Sequence, residues 1–83
     1  MNIVFKPSAF EHKLIEDDIR YAFMNPYYDG PIEENGDAEN RYIRLGFDRS
    51  GNLLEIMYNE YENIYCIFHA MKSRSIFLHL LEN

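Results

Sequence analysis

Apolar positions in the first quarter of the chain change from strand-like to helical spacing. Residues 2–7, NIVFKP, form a short apolar run that ends at a proline, which predicts a brief strand. The next four residues, SAFE, have the Ser-x-x-Glu pattern of a capping box, so Ser8 and Glu11 predict a short helical turn. In residues 16–25, EDDIRYAFMN, apolar side chains recur at helical spacing behind three acids, and the Asn-Pro pair at its end stops this second predicted helix.

From residue 41 onward the pattern becomes that of β-strands. Three runs, RYIRLGF, LLEIMYN and IYCIFHA, are separated by the turn sequences DRSGN and EYEN, and Gly51 in the first turn is available for a positive φ angle. The final SRSIFLHLLEN returns to helical spacing, with Ser73 or Ser75 as its N-cap. The pattern therefore predicts an α+β fold in a single domain, residues 1–83, with a short N-terminal strand, two helices, an antiparallel three-stranded meander and a C-terminal helix.

Residues 25–40, NPYYDGPIEENGDAEN, have neither period. Two prolines, two glycines and five acids predict an irregular loop, and a loop of this length in a small domain is usually functional or mobile. The clustered carboxylates raise a calcium site as an alternative. Their spacing does not match the D-x-[DN]-x-[DN]-G pattern of calcium loops, so we expect a solvated acidic loop.

Composition narrows the class of protein. The single cysteine cannot form an internal disulfide, no secretory signal is visible, and the longest uncharged stretch, residues 63–71, is far shorter than the roughly 20 residues of a membrane span. We therefore expect a cytoplasmic protein without membrane association. The net charge of −6 disfavours an extended nucleic-acid surface, but all of the excess acid lies in the first forty residues. A local positive site in the second half is compatible with this distribution.

Alternation along the three meander strands predicts which side chains share a face of the sheet. The predicted core face carries Ile43, Leu45, Phe47, Leu54, Ile56, Tyr58, Ile64, Cys66 and Phe68. The opposite face then carries Arg44, Glu55 and His69, which have the chemistry for RNA cleavage: a base, a cation for the phosphorane and an acid for the leaving oxygen. The structural alternatives are an ordinary ion pair between Arg44 and Glu55 and a His69 that only forms hydrogen bonds.

Other chemistry-capable residues are weaker candidates. Cys66 is predicted to be buried and inert, because alternation places it in the core. His12, His69 and His79 do not have the spacing of metal ligands, and neither a glycine-rich phosphate loop nor a Ser-His-Asp pattern occurs. We therefore expect no metal and no cofactor.

The layout resembles that of the BrnT-type toxins of bacterial toxin–antitoxin pairs, within the wider group of RelE-like ribonucleases. The resemblance rests on VFKPSAFEHKLIEDDI near the start and on ENRYIRLGFDRSGNLLEIMYNEYENIYCIFHAMKSR in the second half. The positions that match the family pattern are Arg41, Gly46, Gly51, Leu54 and Tyr58. In place of the family's KHG this chain has EHK, so only His12 matches there. Met71 stands where the family has an arginine, and Lys72 and Arg74 follow it.

The resemblance implies a RelE/BrnT-like fold and a toxin that acts on RNA as a metal-independent endoribonuclease, held by a cognate antitoxin-like protein. The predicted catalytic residues are His69, Glu55 and Arg74, and the predicted RNA-binding residues are Arg44, Lys72 and Arg41. The alternative is a non-catalytic binding module of the same fold that pairs with a neighbouring small protein. The net charge and the tyrosines Tyr27, Tyr28 and Tyr61 favour it, since tyrosine is enriched at interfaces. A homodimer is compatible with either function.

Overall fold

The computed structural model describes residues 1–32 and 40–81. The strands are β1 (Asn2–Phe5), β2 (Pro26–Pro31), β3 (Tyr42–Phe47), β4 (Leu53–Tyr61) and β5 (Ile64–Lys72), and the α-helix is α1 (Glu16–Met24). Two 3-10 segments accompany them, a first one at Pro7–Phe10 and a C-terminal one at Ser75–Leu81. The predicted α+β class is confirmed. No helix in the described ranges is both long enough and apolar enough to cross a membrane.

The five strands form one mixed sheet in the order β1-β5-β4-β3-β2. Strands β3, β4 and β5 are the predicted antiparallel meander, and β1 lies parallel to β5, with Asn2 opposite Ile64 and Phe5 opposite Ile67. Gly51 has the predicted positive φ angle, 87°, in the turn between β3 and β4. The meander is therefore predictable from local turns, whereas the pairing of β1 with the distant β5 depends on long-range contacts.

Strand β2 corrects the prediction of a loop over residues 25–40. Residues Pro26–Pro31 pair antiparallel with β3 and form the sheet edge opposite β1. Proline at both ends of the strand suits an edge, because its missing N–H removes a ladder hydrogen bond. Proline and glycine had indicated an irregular segment. Most of the acidic stretch considered for calcium, residues 33–39, lies outside the described residues.

The shorter helical predictions also need correction. Ser8 does not cap a helix through its side chain; its hydroxyl donates to the carbonyl oxygen of Phe68 on β5, and the local turn is a 3-10 segment. The C-terminal element is likewise 3-10 instead of α-helical, and residues 82–83 lie outside the described residues. Helix α1 is confirmed at Glu16–Met24, one residue short of the predicted end.

One face of the sheet, the helix face, packs against α1 and the first 3-10 segment. Its buried residues include Ala9, Ile19, Ala22, Phe23, Leu54, Ile56, Tyr58, Ile67 and Ala70. Gly46 on β3 permits the contact with α1, because a Cβ atom at this position would lie 2.1 Å from the carbonyl oxygen of Ala22. The resulting core is a single layer of helix on sheet.

The opposite face, the back face, is partly covered by the C-terminal 3-10 segment, where Phe77 and Leu80 border a groove with Tyr28 and Ile43. Leu45 and Glu55 are also buried on this face. Glu55 is thus a fully buried acidic side chain, and its neighbours across the strands are Leu45 and Met71.

The register of β3 against β4 overturns the predicted arrangement of faces. Phe47 pairs with Leu53, so Leu45 lies beside Glu55 on the back face and Arg44 lies beside Ile56 on the helix face. The prediction that Arg44 shares a face with Glu55 and His69 is therefore wrong. The observed pairing of β3 with β4 is shifted by one residue from the pairing that the apolar pattern indicated. A shift of one residue moves every side chain of a strand to the opposite face of the sheet.

A bulge changes the alternation within β5. Tyr58 pairs with Ile67 and Met57 with His69, so Phe68 is an extra residue on β5. Ile67 consequently lies on the helix face, although uninterrupted alternation would place it on the same face as His69, which lies on the back face with Glu55, as predicted. Cys66, which was predicted to be in the core, pairs with Asn59 on the back face and is half-buried.

Candidate functional site

The centre of the candidate site is the Glu55 carboxylate, which is fully buried and receives hydrogen bonds from two residues. The backbone N–H of Arg74 donates to Oε1 at 2.8 Å, and the guanidinium donates through Nη2 to Oε2 at 2.7 Å and through Nε at 3.1 Å. The Nε2 atom of His69 lies 2.8 Å from Oε2. Both carboxylate oxygens are therefore satisfied, and the C-terminal segment is tied to the sheet at this point.

These contacts determine the ionisation of the pair. Burial by itself would raise the pKa of Glu55, but the hydrogen bonds from the side chain and backbone of Arg74 and from His69 outweigh it, so the pKa is lowered. The hydrogen bond to Glu55 in turn raises the pKa of Arg74. Glu55 is accordingly a carboxylate at neutral pH and can only accept hydrogen bonds.

This ionisation assigns the tautomer of His69. Because Glu55 only accepts, Nε2 of His69 donates the hydrogen of their contact, so Nδ1 is the nitrogen that carries the lone pair whenever the ring is neutral. Nδ1 makes no hydrogen bond within residues 1–32 and 40–81, and 20% of the side-chain surface is exposed. A ring that is held at one nitrogen with a lone pair at the other is suited to accept a proton from a substrate.

The structure adds His12, which the sequence analysis did not place in the site. The rings of His12 and His69 meet edge to face, with their centroids 5.4 Å apart. Strand β1 ends at Phe5, so β5 continues beyond its partner, and the chain after Pro7 runs beside the bare edge of β5. The sequence signal was the family position that His12 matches; strand alternation could not find it because His12 is not on a strand.

A groove of about 420 Å³ opens beside His12 and is lined by Glu11, His12, Lys13, Leu14, Met71 and Lys72. It thus contains Lys72, one of the predicted RNA-binding residues, and Lys13, which was not predicted. Met71, at the family's arginine position, lines the same groove and pairs with Glu55 across β4 and β5. Two lysines and one acid, Glu11, therefore line the groove with His12, which gives it a small positive charge.

The guanidinium of Arg74 can contact a ligand as well as Glu55. Its side chain is 47% exposed although Nε and Nη2 contact Glu55, and Nη1 makes no hydrogen bond to any residue in the described part of the chain. One edge of the guanidinium is therefore anchored, while the other can meet an anion. An anchored arginine loses little side-chain entropy when it binds phosphate.

Arg44, a predicted RNA-binding residue, has a different environment. On the helix face, Nη1 donates to the carbonyl oxygen of Phe23 at 2.8 Å, Nε donates to Asp29 at 3.2 Å, and the guanidinium lies 4.0 Å from the centroid of the Phe23 ring. Tyr58 donates to the same carboxylate oxygen of Asp29; burial and this bond raise the pKa of Tyr58. With a 12% exposed side chain, Arg44 joins the end of α1 to β2 and β3.

Replacing Arg44 by alanine is expected to lower the free energy of unfolding by about 2 kcal/mol, because charge-assisted hydrogen bonds and a cation–π contact are lost. Urea denaturation followed by circular dichroism measures this loss. Arg49→Ala is the matched control, since Arg49 is exposed in the β3–β4 turn and should change stability by no more than about 0.5 kcal/mol. Equal stability of the two variants would contradict the structural role of Arg44.

Arg41, the third predicted RNA-binding residue, is exposed at the other end of the back face. Its guanidinium lies 5.8 Å from the centroid of the Phe68 ring. It does not line the groove beside His12. Its neighbours form a separate groove.

The lowered pKa of Glu55 predicts acid sensitivity. A carboxyl group whose pKa is lower in the folded state than its usual value of 4.5 stabilises the fold above that value, and this contribution is lost as the pH falls through the folded-state pKa. We expect the melting temperature to fall between about pH 5 and pH 2, and less steeply for Glu55→Gln. Some slope should persist because hydrogen bonds from Asn52 and Ser50 outweigh burial and lower the pKa of Asp48. Glu60→Gln, an exposed control on β4, should retain the wild-type slope; an unchanged slope in Glu55→Gln would contradict the prediction.

The structure therefore brings together three predicted catalytic residues, Glu55, His69 and Arg74, and adds His12. It places Arg44 on the other face of the sheet. Among the residues that the structure describes, no three His, Cys, Asp or Glu side chains are arranged to hold a metal ion. No protein-family model matches the chain, and none of the curated proteins compared with it is similar.

Proposed function

We propose that the protein is a metal-independent endoribonuclease of the toxin–antitoxin type. The observation that carries the proposal is the pairing of His69, oriented by the buried Glu55 carboxylate, with the exposed His12 at a ring-centroid distance of 5.4 Å. Two imidazoles at one site can act as a general base and a general acid at neutral pH. The resemblance to BrnT-type toxins supports the endoribonuclease class.

In the proposed reaction, Nδ1 of His69 accepts the proton of a ribose 2′-hydroxyl, and the 2′-oxygen forms a bond to the adjacent phosphorus. The bond from phosphorus to the 5′-oxygen breaks, and His12 in its protonated form donates a proton to that oxygen. The products are a 2′,3′-cyclic phosphate and a free 5′-hydroxyl. No water, metal ion or oxidant is consumed in this step.

The cations around the histidines would stabilise the phosphorane. Lys72 and Lys13 line the groove beside His12, and the exposed edge of Arg74 lies beside His69 through their shared partner Glu55. Preorganised positive groups of this kind stabilise charge that develops in the transition state. Arg44 has no part in this proposal because its guanidinium is occupied by Phe23 and Asp29.

The test uses a 5′-labelled single-stranded RNA of mixed sequence, incubated with the purified protein in EDTA. We expect cleavage that leaves 2′,3′-cyclic phosphate ends, and no cleavage of a 2′-deoxy oligonucleotide of the same sequence. Induction in a bacterial host should stop growth, and co-expression of a cognate antitoxin-like protein should restore it. Intact RNA under conditions in which the protein is folded would contradict the proposal.

A second candidate function is a non-catalytic module that binds another protein. It is favoured by an exposed aromatic pair near the β2 edge, where the rings of Tyr27 and Phe47 meet edge to face with centroids 5.7 Å apart. Exposed tyrosine and phenylalanine are enriched in protein interfaces. Capture of the neighbouring small protein that is lost in Tyr27→Ala, without RNA cleavage by the wild type, would favour this function over the first.

A further inference from the structure

A second groove, of about 440 Å³, lies on the back face. It is lined by Lys6, Ser8, Arg41, Asn59, Tyr61 and Phe68. None of these residues is acidic, although the chain has fourteen acids and a net charge of −6. The groove therefore has a positive lining on a protein whose net charge is negative.

The two cations of this groove are both exposed. The main-chain N–H of Lys6 donates to the carbonyl oxygen of Ile67 at 2.9 Å, so the backbone from which the lysine projects is fixed to β5. The guanidinium of Arg41 lies over the Phe68 ring, a contact that orients it without a carboxylate partner. Within residues 1–32 and 40–81, neither Lys6 nor Arg41 forms a salt bridge. Both remain able to bind an anion.

Aromatic surface accompanies these cations. Tyr61 is 55% exposed at the end of β4, and Phe68 is half-buried at the bulge of β5. Cations interleaved with accessible aromatic rings are characteristic of surfaces that bind single-stranded nucleic acid, where phosphates meet the charges and bases stack on the rings. An acidic peptide would use the charges but would leave the rings without a specific partner.

The second groove is connected to the candidate catalytic site. Phe68 directly precedes His69, and the hydroxyl of Ser8 is bonded to the carbonyl oxygen of Phe68. The segment from Lys6 to His12 thus borders the second groove at one end and the two histidines at the other. A strand bound at Arg41 and Phe68 would lie directly beside His69, and the one acid of the segment from Lys6 to His12 is Glu11, at the end that borders the histidines.

We propose that the second groove is a subsite for single-stranded RNA flanking the cleaved phosphodiester, with phosphates bound by Lys6 and Arg41 and a base stacked on Tyr61. The RNA character of the ligand rests on the proposed function. Double-stranded RNA is excluded from stacking because its bases are already paired and stacked, so the subsite selects for unpaired RNA.

The test measures binding separately from cleavage. Fluorescence anisotropy is recorded with a labelled 2′-O-methyl RNA of about ten nucleotides, a length within the range of single-stranded binding sites, which cannot be cleaved because it has no free 2′-hydroxyl. Each of Lys6→Ala and Arg41→Ala is expected to make the negative slope of log K against log salt shallower by about 0.7, because one phosphate contact is lost. Tyr61→Ala is expected to weaken binding about tenfold with an unchanged slope, since stacking does not displace counterions. A duplex of the same sequence should bind more weakly.

Arg49→Ala is the matched control, because it removes the same charge from the turn on another part of the surface and should leave the slope unchanged. Equal losses in Arg49→Ala and Arg41→Ala would overturn the subsite, as would equally strong binding of an oligoglutamate peptide of the same charge. Binding that depends on Arg41 in a protein that does not cleave RNA would support the subsite while contradicting the proposed reaction. Wild-type cleavage together with wild-type binding in Lys6→Ala, Arg41→Ala and Tyr61→Ala would contradict the subsite while supporting the proposed reaction.

Discussion

Replacing Glu55 by alanine is expected to lower the free energy of unfolding by about 3 kcal/mol, the lower end of the range for removing one partner of a buried ion pair. A domain of this size has roughly 4–12 kcal/mol in total, so this one change removes a large part of its stability. Glu55 accepts hydrogen bonds from the backbone and side chain of Arg74 and from His69, and the variant loses all of them. The loss stays near the lower end because the half-exposed Arg74 can be hydrated.

Urea denaturation and limited proteolysis measure two parts of this prediction. Proteolysis should first cut after residue 74, because the C-terminal 3-10 segment is joined to the sheet through Arg74 and Glu55. Glu60→Ala removes an exposed carboxylate from the same strand and should change stability by no more than about 0.5 kcal/mol. Wild-type stability in Glu55→Ala would show that the buried cluster does not hold the C-terminal segment.

Replacing His69 by alanine is expected to reduce RNA cleavage by about 1,000-fold, within the range for removal of a general base. The physical reason is that, in the proposed reaction, Nδ1 of His69 accepts the 2′-hydroxyl proton while Glu55 binds Nε2. The measurement is the rate of formation of cyclic phosphate ends at saturating RNA. His79→Ala is the matched control, because His79 is an exposed histidine on the C-terminal segment and should retain the wild-type rate.

Loss of folding must be separated from loss of chemistry in this experiment, since His69 also contacts Glu55. His12→Ala serves that purpose: His12 is exposed, and its removal should reduce cleavage by about 100-fold without changing the melting temperature. Stable His12→Ala and His69→Ala proteins that cleave RNA at the wild-type rate would exclude the histidine pair as the catalytic groups.

Local sequence patterns predicted the elements that depend on local interactions. Helix α1 follows from helical spacing of apolar residues behind three acids, and its observed bounds, Glu16–Met24, agree with the prediction to within one residue. The meander follows from alternating strands and short turns, and Gly51 has the positive φ angle that its turn requires. Two predictions were wrong where a residue distant in sequence supplies the contact. Ser8 bonds to Phe68 instead of capping a helix, and residues Pro26–Pro31 form strand β2 because they pair with the edge of β3.

The candidate site was only partly predictable for the same reason. Glu55 and His69 were assigned to one face, and they do meet. Arg44 was assigned with them, but the Phe47–Leu53 pairing turns it to the helix face. Side chains alternate between the two faces of a strand, so a register shift of one residue at a turn reverses the predicted face of every residue in the strand that follows.

The sequence by itself thus determined the α+β class, the helix and the order of the meander strands, because these depend on contacts between near neighbours in the chain. Tertiary structure decided the rest. The pairing of β1 with β5 brings His12 beside His69, the bulge at Phe68 puts Ile67 on the helix face, and Arg74, just beyond β5, bonds to Glu55. Each of these depends on residues far apart in sequence, whose approach costs chain entropy and is repaid only when the whole sheet forms.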